Sequence, residues 1–338
     1  MKKKENANII LSEIDDVSTN YIIDWFLLYD EKFIRYNGIK NEKSIFNFDK
    51  VLYNLNLEND SFDLLSKNNF KLNSSSLKSI WYRRPFIGVS DFTKIEKSNF
   101  DNRINFNLIE NNILYHNKVF KDIIIDSFNS AAKKIGTYEK NSLNKFIILK
   151  KAKKIGLDIP NTIVTNSQSK AISFLKKNNF EIITKPLYEV ISFSIDDYVY
   201  VSLTSVITKP SEIPNSFSIT LFQNCIEKEY EVRVFYLDGN FYSMAIFSQN
   251  NTKTKIDFRD YDQEKMNKMV AFKLENTIEI KIEKLMKELK LNTGSIDLIK
   301  SKDGKYYFLE INPIGQFDFL SKNCNYNIEH KIAKYLSS

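Results

Sequence analysis

Apolar positions along the chain switch between helical and alternating spacing, and each switch marks an element. NIILS near the start reads as a strand, and DDVSTNYIIDWFLLY follows as an amphipathic helix behind a capping signal. LKSIWYRRP predicts a strand ended by Pro85. From Ile95 to about Ser130 the pattern turns helical, with Phe106, Ile109, Ile113, Val119 and Ile123 near helical spacing. A first domain boundary is expected after it. NSLNKFIILKKAKKIGLDIPNTIVTNS then predicts a helix C-capped at Gly156, a break at Pro160, and a strand leading to a new cap at Ser167. Strands at EIITKPL, VISFSI and YVYVSLTSVI complete a small, lid-like α+β unit ending near Phe217.

Beyond it come the strand TLFQNCI, the hairpin YEVRVFYLDGNFYSMAIFS, a polar segment, a helix from about Glu275 to Leu289, and the hairpin GSIDLIKSKDGKYYFLEIN. Asp238-Gly239 and Asp303-Gly304 are favoured hairpin dipeptides. The expected fold class is therefore mixed α/β and α+β in three segments: 1–130, 131–217 and 218–338.

The last strand, LEINPIGQF, sets Leu309 and Ile311 on one face and Glu310 and Asn312 on the other. A two-residue loop at Asp303-Gly304 pairs Lys302 with Lys305, Asp297 with Glu310 and Ser295 with Asn312. Two directly opposed carboxylates repel each other unless a cation compensates. Oxygen donors from Asp297, Glu310 and Asn312 suit magnesium. The other reading is a polar face neutralised by a lysine from another strand.

Composition narrows the class. At 338 residues, with 43% hydrophobic and 27% charged positions, the chain is globular and long enough for more than one core. Only His116 and His330 are present, which disfavours a histidine zinc site or triad. Two distant cysteines, Cys225 and Cys324, suggest a reducing, cytoplasmic setting. The best apolar run, YIIDWFLLY, is too short to span a membrane, and MKKKENANIILSE lacks the apolar core of a signal peptide. The formal charge of +7 allows anionic partners, but the lysines are spread out and no stacking aromatics accompany them, so neither nucleic acid nor membrane is an expected partner.

Read in order, NK at a helix start, ITKPL, FQNCIEKEYEVRV, GSIDL and LEINP resemble the ATP-grasp superfamily. WYRRP, DFRDYD, LNTGSIDLI, FLEINPIGQF and the closing Cys-Asn-Tyr segment resemble its ribosomal-peptide maturases, the microviridin-type graspetide synthetases, and within them the grasp-with-spasm branch. The resemblance implies an ATP-grasp fold behind an N-terminal pre-ATP-grasp domain, with ATP and Mg2+ as cofactors. It also implies a precursor peptide, leader and core, as partner, with a homodimer as one option for assembly.

Lys145 and Lys185 match the lysines that reach nucleotide phosphates. The segment holding Gln223, Asn224, Cys225 and Ile226 matches the adenine hinge, with Asn224 and Cys225 as the expected contacts, and Glu231 matches the ribose ligand. Arg233 and Arg259 are expected at the transferred phosphoryl group; the other readings are a cross-strand pair of Glu231 with a lysine beside a snorkelling Arg233, and a loop ion pair of Arg259 with Asp257 or Asp260. Arg83 and Arg84 remain open between peptide carboxylates and domain packing. The resemblance implies carboxylate activation as an acyl phosphate, followed by ester or amide closure onto Ser, Thr or Lys. The alternatives are another ATP-grasp carboxylate-amine ligase and a non-catalytic basic binding protein on the same scaffold.

Overall fold

The computed structural model describes residues 7–37, 51–58, 61–66, 71–73, 76–85, 105–140, 142–187, 192–195, 198–201, 204–249 and 267–338. Contacts gather the chain into two units, Met1–Asn141 with Asn327–Ser338, and Ser142–Tyr326.

In the first unit, β1 (Ala7–Ser12) leads into α1 (Val17–Leu28), whose N-cap Asp16 accepts a hydrogen bond from Thr19 N. Then come β2 (Phe33–Asn37), a three-stranded antiparallel sheet of β3 (Val51–Asn56), β4 (Ser61–Ser66) and β5 (Lys71–Asn73), and β6 (Leu77–Tyr82). α2 (Phe106–Asn129) and β7 (Lys133–Ile135) complete it. The part of the expected helix before residue 105 lies outside the described residues. The parallel sheet runs β2-β1-β6-β7 and buries Ile9, Leu11, Ile80, Tyr82, Ile124 and Phe128. The C-terminal helix Ile328–Ser337 packs on α1, β6 and β7 through its apolar stripe, so contacts group it with this unit and not with the third segment of the sequence reading.

Arg83 is 3% exposed. Its Nε donates to Asp16 Oδ2 at 3.1 Å and its Nη2 to Ser18 Oγ at 3.1 Å. Arg84 Nε donates to the same Asp16 oxygen at 2.9 Å. Of the two roles left open for this pair, packing inside the unit is the one visible for Arg83. Burial raises the Asp16 carboxyl, but Arg83, Arg84 and the Thr19 amide outweigh it and hold the group below its usual range. A depressed folded pKa adds stability above the unfolded value of 3.8, and that stability fades as pH falls through the folded value. Asp16→Asn keeps a capping side chain but leaves Arg83 buried without its counter-charge, a loss of about 3 to 5 kcal/mol for such pairs. Melting of both proteins across pH should show a wide gap at neutrality that narrows below about pH 4; a constant gap would exclude the charge as its cause.

In the second unit, α3 (Lys145–Ile155) starts at N-cap Asn144, whose Oδ1 accepts from Ile147 N at 3.1 Å, and ends at Gly156 with φ 93°. β8 (Thr162–Thr165), α4 (Gln168–Lys177), β9 (Ile182–Lys185), the ribbon of β10 (Ser192–Ile195) and β11 (Tyr198–Val201), β12 (Ser205–Ile207) and β13 (Thr220–Asn224) follow. The lid sheet runs β12-β9-β13-β8. This corrects the expected break at 217: β13 is hydrogen-bonded between two lid strands and belongs to the lid sheet.

Next are β14 (Lys228–Leu237), β15 (Asn240–Phe247), β16 (Lys268–Phe272), α5 (Asn276–Glu288), β17 (Thr293–Ser301), β18 (Tyr306–Asn312) and α6 (Asp318–Cys324). Their antiparallel sheet runs β16-β15-β14-β17-β18. One face of it, with Val232, Val234, Ile296, Leu298, Phe308 and Ile311, packs with α3 and α5 into the largest core of the unit. The other face mixes buried apolar residues, Phe235, Met244 and Ile246, with the polar row of Arg233, Asp297 and Glu310.

Candidate active site

Alternation along three adjacent strands builds the site. With Val232 and Val234 of β14 in the core, Arg233 points to the opposite face, and the sheet register sets Arg233 beside Asp297 of β17 and Asp297 beside Glu310 of β18. Ser295 and Asn312 form the next cross-strand pair. The expected pairing is present, although two of its premises are not. The turn pairs Ser301 N with Lys305 O around a three-residue loop, which moves the register by one, and a bulge between Asp297 and Leu298 moves it back. Leu309 has no partner across the ladder and is only half-buried; Phe308 takes the core position expected for it.

Both carboxylates face protein cations. Arg233 Nη1 lies 2.7 and 2.6 Å from the Asp297 oxygens. Lys145, at the first turn of α3, brings Nζ to 3.6 Å from Glu310 Oε2 and 3.4 Å from the carbonyl of Pro186, the residue after Lys185. Counter-charge is thus supplied by a lysine, as the second reading of the polar face required, but from a helix and with an arginine added. Lys185 is half-buried at the end of β9 opposite Leu221.

Asn312 ends β18; its Oδ1 accepts from Ile314 N at 3.1 Å and its carbonyl from Gly315 N at 3.1 Å, so the chain turns at once across the site. Ser295 Oγ donates to Gln316 O at 3.2 Å. Oxygen donors from Asp297, Glu310 and Asn312 on one face are of the kind that would suit magnesium. Among the described residues no group of three or more His, Cys, Asp or Glu forms a metal cluster.

The hinge is tied into the lid. Gln223 is buried and donates to Thr162 Oγ1 at 3.0 Å. Asn224 N donates to Asn161 O at 3.1 Å and its Oδ1 accepts from Asn161 N at 2.6 Å, while Cys225 N donates to Glu181 O at 3.3 Å. The amide hydrogens of both residues expected to contact adenine are therefore engaged inside the protein. Cys225 is half-buried. Glu231 is buried and pairs with Lys228 and with Ser248 Oγ, the latter at 3.1 Å. This lysine partner lies on the same strand, β14, three residues away. Arg259 lies outside the described residues. Burial pushes the Cys324 thiol up, away from nucleophile behaviour.

Sequence reasoning missed Phe317 and Phe319. The Phe317 ring lies 4.9 Å from Phe235, and the Arg233 guanidinium lies 6.0 Å from the Phe319 ring, so the segment after Asn312 also walls the site.

The chain matches the RimK-like ATP-grasp domain family over residues 141–336. Curated proteins yield no significant match. Among solved structures, it is similar to a RiPP-associated ATP-grasp ligase of Chryseobacterium gregarium in complex with ADP and a leader and core peptide: 25% identity, TM-score 0.76, covering 98% of this chain and 95% of that one. The macrocyclase MdnC of Microcystis aeruginosa MRC, bound with precursor peptide MdnA, shares the fold at 24% identity and TM-score 0.73, over 98% of this chain and 99% of that one. Macrocyclase MdnB of the same organism does so at 20% identity and TM-score 0.68, with the same coverage. With the family match spanning more than half of its length, the chain belongs to the RimK-like ATP-grasp family.

Proposed function

We propose that the chain is an ATP-dependent, ADP-forming macrocyclase of a ribosomally made precursor peptide, with its leader and core as the partner. The observation that carries this reading is the cross-strand row Arg233, Asp297 and Glu310 with Lys145 against it, a site of cations and oxygen donors. Phosphoryl transfer calls for charge neutralisation and alignment more than covalent help. The likeness to the Chryseobacterium gregarium ligase, which is in complex with ADP and a leader and core peptide, supports a peptide substrate.

A side-chain carboxylate of the precursor attacks the γ-phosphorus of ATP; the new O–P bond forms as the bridging P–O bond to ADP breaks. A Ser or Thr hydroxyl, or a Lys amine, of the same peptide then attacks the acyl carbon and phosphate leaves with the proton. Lys145, Lys185, Arg233 and Arg259 hold phosphate oxygens, and Glu231 holds the ribose. Gln223 and Asn224 brace the hinge, and the Ile226 amide, with neighbouring backbone of Cys225, faces adenine. Asp297, Glu310 and Asn312 hold magnesium, which when bound neutralises charge developing on the phosphates. Two cysteines outside any disulfide agree with a cytoplasmic enzyme, and no helix among the described residues is long and apolar enough to cross a membrane.

ADP and phosphate should appear in step with water loss from the precursor, read by mass spectrometry, and hydroxylamine should trap the activated side chain as a hydroxamate. Stoichiometric AMP would refute the acyl-phosphate route.

A further inference from the structure

Each carboxylate assigned to magnesium has a protein cation against it. Arg233 Nη1 contacts both Asp297 oxygens, and Lys145 Nζ lies 3.6 Å from Glu310 Oε2. A divalent ion and a protein cation compete for the same oxygens, and at Arg233, 9% exposed, solvent screens that competition poorly.

The Arg233 pair is also incomplete. Guanidinium and carboxylate match best through two parallel N–H groups, whereas here one nitrogen meets both oxygens and the buried Nε has no acceptor. An orphaned buried donor is unfavourable. A phosphate group, with several acceptor oxygens, can satisfy Nε while drawing the guanidinium off Asp297. Lys145 is similarly divided, its Nζ shared between Glu310 and the Pro186 carbonyl at the end of the lid strand.

We propose that Arg233 and Lys145 are exchangeable counter-cations, which hold Asp297 and Glu310 until nucleotide phosphates draw them away and thereby make the metal site competent. This rests on the phosphate and metal roles given above. The exchange makes the two ligands interdependent: nucleotide raises metal affinity, and metal raises nucleotide affinity by the same factor.

Mn2+ binding to the full chain, followed by the electron paramagnetic resonance of free Mn2+, tests this with and without the non-hydrolysable analogue AMPPNP, after allowance for Mn2+ held by AMPPNP alone. AMPPNP should tighten Mn2+ binding about tenfold, within the usual range of coupling between sites. Lys145→Met should tighten Mn2+ binding in the absence of nucleotide, weaken AMPPNP binding, and shrink the coupling between them. A purely structural role would weaken both. Arg233→Gln, checked for folding by thermal melting, should show the same opposite shifts. If Glu310→Gln loses Mn2+ binding but Lys145→Met binds nucleotide-free Mn2+ no better than the parent, the exchange is overturned and the metal site stands. If Glu310→Gln binds Mn2+ normally, the metal assignment falls and takes the exchange with it.

Discussion

Glu310→Gln should stop ATP-dependent product formation while leaving the chain folded. Glutamine keeps the size of the side chain and one carbonyl oxygen, but it removes the charge that makes a hard-cation ligand. Glu310 sits directly opposite Asp297 and two residues from Asn312 on one face, so the loss falls on a site with few donors. Metal stabilisation of phosphoryl charge is worth several kcal/mol, and about 4 kcal/mol corresponds to roughly a thousandfold in rate. The fold should tolerate the change because the Lys145 pair it breaks is partly solvated and long, at 3.6 Å. Full turnover at ordinary magnesium, with melting unchanged, would remove Glu310 from the metal set.

Gly315→Ala should damage the same site through packing alone. An added Cβ there would lie 2.4 Å from Ser295 Cβ, 2.5 Å from Ser295 Oγ and 3.1 Å from the Asn312 carbonyl oxygen. Ser295 is buried between strands and cannot swing away, so the turn after Asn312 or the Ser295–Asn312 pairing must shift. Overpacking of this kind costs about 1 to 3 kcal/mol. Displacing Asn312 should also lower turnover at fixed nucleotide affinity. The double variant Ser295→Gly with Gly315→Ala removes the clash at its source and should recover much of both losses, read by melting and by product formation. Equal damage in the single and double variants would exclude the Ser295 contact as the cause.

This contact explains why a strand ending in Glu310 and Asn312 breaks at Pro313 and Gly315. The chain must turn tightly over Ser295, and only a residue without a side chain fits. Neither LEINPIGQF nor the facing strand reveals this alone, because the crowding arises between positions twenty residues apart.

Where one element contains its own signals, the sequence was sufficient. The apolar spacing and Asn144 cap of α3, its Gly156 stop, the Asp238-Gly239 turn with φ 44° and 85°, and α5 all follow from local preferences. Short edge elements were not legible: β2, β7 and β16 are five residues or fewer, and β3 to β5 carry weak alternation, so their pairing partners decide them. Lid membership of β13 was likewise a matter of which strands it meets.

The sequence by itself determined which oxygen donors alternate onto one face of the last two strands. That much needs only the two-residue repeat of a strand and the kinds of side chain present. The tertiary structure decided who meets whom. It set Arg233 on Asp297, Lys145 on Glu310 and Lys228 on Glu231, engaged the Asn224 and Cys225 amides, and restored the Asp297–Glu310 register through a bulge at Leu309 that no loop count anticipates. The physical reason is range: propensity and alternation act over a few residues, whereas ion pairs and close packing are fixed only when distant strands are brought side by side.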